Sequence, residues 1–358
     1  MPSPALRLIC GPAIFYFLLF SLACSGPGKP QAYKAPAYTN LYDSIPTSPD
    51  NPLTIEGVEL GRILFYDPIL SANGKVSCAT CHNQQLAFSD GLPNGGLGIS
   101  GKLNPRNAPA LMNLAFSKGL FWDGGVKNPE SFSFAPIQHP DEMGSNLKEL
   151  ITRLNCSANY PALFRNAFGS DSIDSQQLSR ALAQFMRSMV SGNSRYDRFI
   201  RREKGNKLTK FELQGYFLFN QNCSQCHSGE LFTDNDYHNI GLQTRNTGLE
   251  RDLTETGRFR ITLDSADFGK FKTPSLRNIT LTSPYMHDGR FKTLEEVFNQ
   301  YRFHTADSPL LDGQLRNRDG SVNMHLSDEE QSAIIAFLQT LTDSTFISNQ
   351  NYAAPVAP

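Results

Sequence analysis

Two copies of one pentapeptide pattern constrain this chain more than anything else in it. Cys78-Ala79-Thr80-Cys81-His82 and Cys223-Ser224-Gln225-Cys226-His227 both read C-x-x-C-H. Two thiols three residues apart, opening a helix, can each add to one vinyl group of a haem while the adjacent His reaches the iron as proximal ligand. A zinc site would want four converging ligands, and a redox C-x-x-C needs no following His. Two full copies therefore point to two covalent c-type haems. Of the seven cysteines these pairs use four; Cys10 and Cys24 lie in the opening segment, and Cys156 stands alone and is expected to be a small buried apolar residue.

The surroundings of the two pairs repeat as well. Gly61-Arg62-Ile63-Leu64-Phe65 precedes the first and Gly215-Tyr216-Phe217-Leu218-Phe219 the second, so G-x-x-L-F opens both units. Thr209 with Glu212, and Ser327 with Glu330, read as capping boxes at helix starts. Leu178, Ala181, Leu182, Phe185, Met186 and Met189 fall at helical spacing after Asp174 and Ser175, and Ile334, Ile335, Leu338 and Leu341 make a second apolar stripe. An early helix whose glycine lets a late helix cross closely, with a haem motif between them, is how a mono-haem cytochrome c domain is built. The expected fold is all-α, with two tandem cytochrome c-like domains, each holding one covalently bound haem.

The ends set the boundaries. Arg7, an apolar run over residues 14–20 and then Ser21-Leu22-Ala23-Cys24 have the order of a secretory signal. Cys24 after Leu22-Ala23 resembles a bacterial lipoprotein cleavage box, whose cysteine becomes a lipidated first residue; ordinary cleavage near Ala23 is the alternative. Six prolines between residues 27 and 52 give that stretch linker composition. The expected organisation is a signal peptide over 1–24, a Pro-rich linker over 25–52, an N-terminal domain over 53–192, a C-terminal domain over 193–345 and a tail over 346–358. The expected location is the periplasm, with a lipid anchor to the membrane if Cys24 is modified. The chain of 358 residues carries 33 Lys and Arg against 34 Asp and Glu, so no basic surface announces a nucleic-acid partner.

Further stretches carry a family resemblance: residues 104–109 (N-P-R-N-A-P), 119–125 (G-L-F-W-D-G-G), 140–143 (P-D-E-M), 273–278 (T-P-S-L-R-N) and 284–289 (P-Y-M-H-D-G). With the haem motifs, residues 53–341 resemble the bacterial di-haem cytochrome c peroxidases and their MauG-type relatives. The resemblance implies that the N-terminal haem meets hydrogen peroxide and the C-terminal haem stores and relays electrons. It places Trp122, the only tryptophan, between the haems as an electron relay. Glu142 matches the distal carboxylate that carries a proton between the peroxide oxygens. Many relatives rest with a second His on the peroxidatic haem; the matching place here is near Ile99 and Ser100, and no His lies between His82 and His139, so the first haem is expected to be open. Phe132 stands where relatives usually have Gln.

Ligation of the second haem is open between several residues: His238, Met286, His287, Tyr301, His304, Met324 and His325. Fourteen residues after His287 the peroxidases have Met, and here that place holds Tyr301, as in the MauG-type enzymes. A phenolate is a harder donor than a thioether and lowers the haem potential; the alternative is that Tyr301 only packs there. The resemblance also implies one calcium ion held by the Asn107 side chain and the backbone carbonyls of Thr282 and Pro284. It allows a homodimer.

Two classes of function follow. The first is an enzyme that reduces hydrogen peroxide to water with electrons from a small c-type cytochrome or cupredoxin, or, as a variant, a MauG-like oxidase that modifies a partner protein. The second is a di-haem electron carrier without chemistry of its own, which Glu142 and an open first iron argue against.

Overall fold

A computed structural model describes residues 29–36, 38, 40–42, 44–92, 97–102, 104–242 and 255–355. The leader with Cys10 and Cys24, the first residues of the proline-rich stretch and the last three residues of the chain lie outside these. Cys156, expected to be buried, is instead exposed, because it caps the end of the surface helix Leu147–Asn155. The described chain is mainly helical, and its one sheet is a two-stranded antiparallel ladder, Tyr237–His238 against Phe271–Lys272, with Tyr237 opposite Lys272 and His238 opposite Phe271. Among the described residues no helix is long and apolar enough to cross a membrane.

Two crossed helix pairs organise the molecule. Ile55–Tyr66 packs on Ser175–Ser188, and Lys210–Asn222 packs on Asp328–Gln339. Three of these four helices start on capping boxes, Asp174 with Gln177, Thr209 with Glu212 and Ser327 with Glu330, in which each side chain satisfies an orphan backbone N–H. The fourth starts on Thr54, whose hydroxyl accepts from the Gly57 amide. Gly61 and Gly215 lie at the two crossings, where the backbones meet with no side chain between them.

Each pair is the heart of a separate apolar cluster. The first is centred on Leu64, Phe65, Phe88, Leu178, Leu182 and Phe185, the second on Phe219, Phe232, Ile334, Phe337 and Leu341. Aromatic contacts repeat between them: Phe65 lies 5.9 Å from Phe88 and 5.3 Å from Phe185, as Phe219 lies 5.7 Å from Phe232 and 5.3 Å from Phe337.

Both ends of the described chain return to the first cluster. The proline-rich stretch has the composition of a tether, but Ile45 is buried and Tyr33, Tyr38, Leu41 and Tyr42 pack beside it, because these interleaved apolar groups gain more from burial than from extension into water. Past the last long helix, Phe346 and Tyr352 are each 1% exposed in the same cluster. Where the halves meet, the buried Asp343 carboxylate accepts from the amides of Gly192 and Asn193 and the Ser191 hydroxyl, and its own amide donates to Asn278. Close by, Arg277 and Asp197, both fully buried, form a two-pronged ion pair at 2.8 Å.

Candidate haem cradles

In each motif one helical turn brings thiols and imidazole together. The His82 amide bonds to the Cys78 carbonyl at 3.0 Å and the His227 amide to the Cys223 carbonyl at 2.9 Å. The first pair forms its own short helix, Cys78–Cys81, behind Ser77. The second does not open a helix: it follows directly on Lys210–Asn222, whose last turn closes through the Cys223 amide onto Phe219. The long helix thus carries straight into the motif.

Both imidazoles are held through Nδ1. His82 Nδ1 stands 2.7 Å from the Phe88 carbonyl oxygen, and His227 Nδ1 stands 3.1 Å from that of Phe232. A carbonyl oxygen only accepts, so both rings carry their proton on Nδ1 and leave the Nε2 lone pair for a metal. Burial drives the His82 pKa down to about 4 and lowers that of His227 too, so both rings are neutral. Burial pushes the thiols of Cys78 and Cys223 up to about 12 and that of Cys81 to about 11. Buried thiols held neutral beside a neutral imidazole are compatible with thioether attachment.

A cavity of about 310 Å³ opens over the second motif and runs towards the first half of the chain. Cys223, Cys226, His227, Tyr301 and Met324 line it, together with Trp122, Asn107 and Phe132 from the first half. Met286, His287 and His238 also line it; His304 and His325 do not. His238 is fully engaged, with Nδ1 2.6 Å from Asp312 and Nε2 2.8 Å from Asp234. Its pKa is pushed up to about 10, by the Cys226 sulfur first and, against burial, by the two carboxylates. His287 stacks flat on Phe271 at 3.7 Å with its Nε2 towards Glu255. Tyr301 has no hydrogen bond from its hydroxyl to a described residue, and burial, then the charges of Cys226 and Cys223, raise its phenol above the ordinary range.

Trp122 ties the halves at this cavity. Its indole N–H donates to the Asn107 carbonyl at 2.8 Å, and its own carbonyl accepts from the Lys272 amide at 2.8 Å. Asp123, buried beside it, accepts from both Arg106 and Arg260. Phe132 is buried against Phe121, the residue before Trp122, at 4.7 Å.

Glu142 belongs to the first cradle. Burial raises its carboxyl, no described residue gives that carboxyl a hydrogen bond, and its charge is felt at the Cys81 thiol. Its carbonyl accepts from the Ile99 amide at 2.7 Å, so the loop at Ile99 and Ser100 lies directly beside it. Asn107 sits between the halves: its amide nitrogen is 2.5 Å from the Pro284 carbonyl and 3.4 Å from that of Met286, its Oδ1 is buried without a partner, and Thr282 shares the cavity wall.

Comparison with known proteins agrees with this geometry. Residues 55–205 match the family described as di-haem cytochrome c peroxidase. The methylamine utilization protein MauG of Methylorubrum extorquens is 38% identical over 302 residues, 84% of this chain and 82% of that one. The chain belongs to the di-haem cytochrome c peroxidase and MauG family. Cytochrome c551 peroxidase of Nitrosomonas europaea is 33% identical over 313 residues, covering 86% of this chain and 85% of its own length. A solved MauG-like protein associated with microbial copper homeostasis superposes with a TM-score of 0.80 at 33% identity, covering 90% of this chain and 99% of that one. Membership in this oxidoreductase family implies two c-type haems.

Two residues that complete the cradles, Phe88 and Phe232, act through backbone carbonyls and are invisible to a search for reactive side chains. A signal for them exists: Phe88-Ser89-Asp90 and Phe232-Thr233-Asp234 follow the two motifs as a shared F-[S/T]-D.

Proposed function

We propose that this chain is a periplasmic di-haem peroxidase that reduces hydrogen peroxide to water, built as two cytochrome c-like domains over residues 53–192 and 193–345. The first haem would be carried by Cys78, Cys81 and His82 and the second by Cys223, Cys226 and His227, the lone pairs and neutral thiols of both cradles supporting this assignment. When bound, the haems supply the iron on which peroxide is reduced and a store for the second electron.

Glu142 carries the reading. A carboxyl raised by burial against the charge of His139, whose Nδ1 lies 4.0 Å from it, and given no hydrogen bond by a described residue, is suited to take the proton from the inner peroxide oxygen and hand it to the outer one. Trp122, hydrogen-bonded to one half through its indole and to the other through its carbonyl, supports a relay between the cradles. Electrons would come from a small c-type cytochrome or cupredoxin. Calcium fits at Asn107, whose Nδ2 faces the carbonyls of Pro284 and Met286 and whose Oδ1 is unpartnered; with the amide turned over, an oxygen-lined cation site there would pin the halves together. Tyr301, in the wall of the second cradle and with no hydroxyl hydrogen bond to a described residue, also favours a MauG-like variant in which a partner protein is oxidised.

The test is stopped-flow spectroscopy of the diferric protein with one equivalent of peroxide. A rapid change in the Soret band is expected, slowed at least about 100-fold in Glu142→Gln, the usual weight of a positioned acid–base group; an inert wild-type spectrum overturns the reading. Steady turnover with reduced cytochrome c then separates the peroxidase from the protein-modifying oxidase.

A further inference from the structure

The carbonyl that orients His82 sits in a costly piece of backbone. Ala87 and Phe88 are consecutive non-glycine residues in the left-handed region, with φ of 52° and 63°. Side chains with a Cβ are disfavoured there, and such residues persist only where their surroundings over-determine them. The Phe65 ring supports Phe88 from within the same helix pair. The second support comes from far along the chain: Phe346 packs edge-on against Phe88 at 5.7 Å. Gln84, two residues after His82, donates its side-chain amide to the Asn349 carbonyl at 2.8 Å.

The segment that supplies these contacts is anchored at both ends. Asp343 caps its first turn, accepting from the amides of Thr345 and Phe346 with one oxygen while the other holds residues 191–193. Tyr352 donates its hydroxyl to the Ser188 carbonyl at 2.6 Å, and its own carbonyl accepts from Tyr66. The second cradle provides an internal comparison. There Phe232, also left-handed at φ 53°, is backed by Tyr196 at 5.3 Å, from the start of its own half. The first cradle alone borrows its backing ring from beyond the other half's last long helix.

Resting on the di-haem reading above, we propose that residues 344–353 are a proximal buttress for the first haem, with Phe346 and Gln84 as positioning residues that hold the Phe88 carbonyl on His82 Nδ1. That hydrogen bond makes the imidazole a stronger donor through Nε2. Loosening it should weaken the iron–histidine bond and raise the potential of the first haem only.

The experiment uses the full-length holoprotein, with haem content counted by mass, and compares wild type, Phe346→Ala and Phe346→Leu by resonance Raman of the ferrous state and by redox titration. The first haem is assigned by its loss in a Cys78→Ala, Cys81→Ala double variant. Expected in Phe346→Ala are a lower iron–histidine stretching frequency and a higher potential at the first haem, an unmoved second haem, and recovery towards wild type in Phe346→Leu. Unchanged values at the first haem, or equal shifts at both, overturn the buttress. Should Phe346→Ala yield no holoprotein, Gln84→Ala, which keeps every ring, tests the buttress by the same readouts and with the same expected and overturning results. Wild type with fewer than two haems overturns the di-haem reading itself and the buttress with it.

Discussion

The backbone of Gly61 lies so close to Ala181 that a Cβ on the glycine would stand 2.0 Å from the Ala181 carbonyl oxygen. Gly215 meets the Ala333 carbonyl in the same way, at 1.9 Å. Neither carbonyl can swing aside without breaking its helix, so an added methyl must push the paired helices apart. Gly61→Ala and Gly215→Ala are each expected to destabilise by about 1–3 kcal/mol, the usual cost of overpacking. Denaturant melts of the two variants check this; an unshifted midpoint in either would show that its crossing is looser than described.

The Asp197–Arg277 pair makes a second, pH-dependent contribution. Burial pushes the Asp197 carboxyl up, but the two Arg277 hydrogen bonds and the charge behind them outweigh it and hold it below its ordinary range. A carboxyl lower in the folded than in the unfolded state adds stability that is full above the unfolded value near 3.9 and fades as pH falls through the folded one. Asp197→Asn leaves the Arg277 charge buried and is expected to cost about 3–5 kcal/mol at neutral pH. Melts of wild type and variant between neutral and strongly acidic pH should converge; a constant gap across that range contradicts the pairing.

Local patterns were readable from the sequence because they are satisfied locally. The boxes Thr209–Glu212 and Ser327–Glu330 complete themselves within four residues, and G-x-x-L-F places a small residue at a crossing and a ring in the core four residues on. What stayed hidden depends on distant partners or on the main chain. His238 is a candidate ligand until Asp312, 74 residues away, closes on it. Phe346 and Tyr352 have no periodicity to betray them and gain their burial only once the first cluster exists. Phe88 and Phe232 contribute carbonyl oxygens, which no side-chain pattern encodes.

Glu142 makes peroxide chemistry depend on pH in a definite direction. To accept a proton the carboxyl must be ionised, and burial raises its pKa above the usual value near 4.3. The rate of the peroxide-induced Soret change is therefore expected to rise with pH through a midpoint above that value, and Glu142→Gln should flatten the profile. A wild-type rate independent of pH from about 4 upwards would remove the carboxyl from the reaction.

Tyr301 is expected to set the potential of the second haem. Burial in the cradle of Cys223 and Cys226 disfavours a free phenolate, so an ionised Tyr301 there would need iron as its partner. Replacing it by a neutral thioether in Tyr301→Met should raise the second haem's potential and abolish any phenolate-to-iron charge-transfer band, and Tyr301→Phe, which also removes the anionic donor, should abolish the band and shift the potential too. Spectra and redox titrations identical to wild type in both variants would mean that the ring only packs.

Calcium is expected to stabilise the junction of the halves. As it stands, the Asn107 amide nitrogen faces the carbonyls of Pro284 and Met286 and leaves Oδ1 buried without a partner. A half-turn of the amide would point Oδ1 at the same carbonyls, an arrangement of oxygens that repels unless a cation lies among them. A ligand that binds only the folded state, present at roughly 100 times its dissociation constant, adds about 2.7 kcal/mol. Thermal melts with saturating calcium should therefore exceed those with a chelator, and Asn107→Ala should melt at one temperature in both. A wild-type protein whose melting ignores the chelator would leave Asn107 as a plain hydrogen-bond bridge between residues 107 and 284, with no ion to bind.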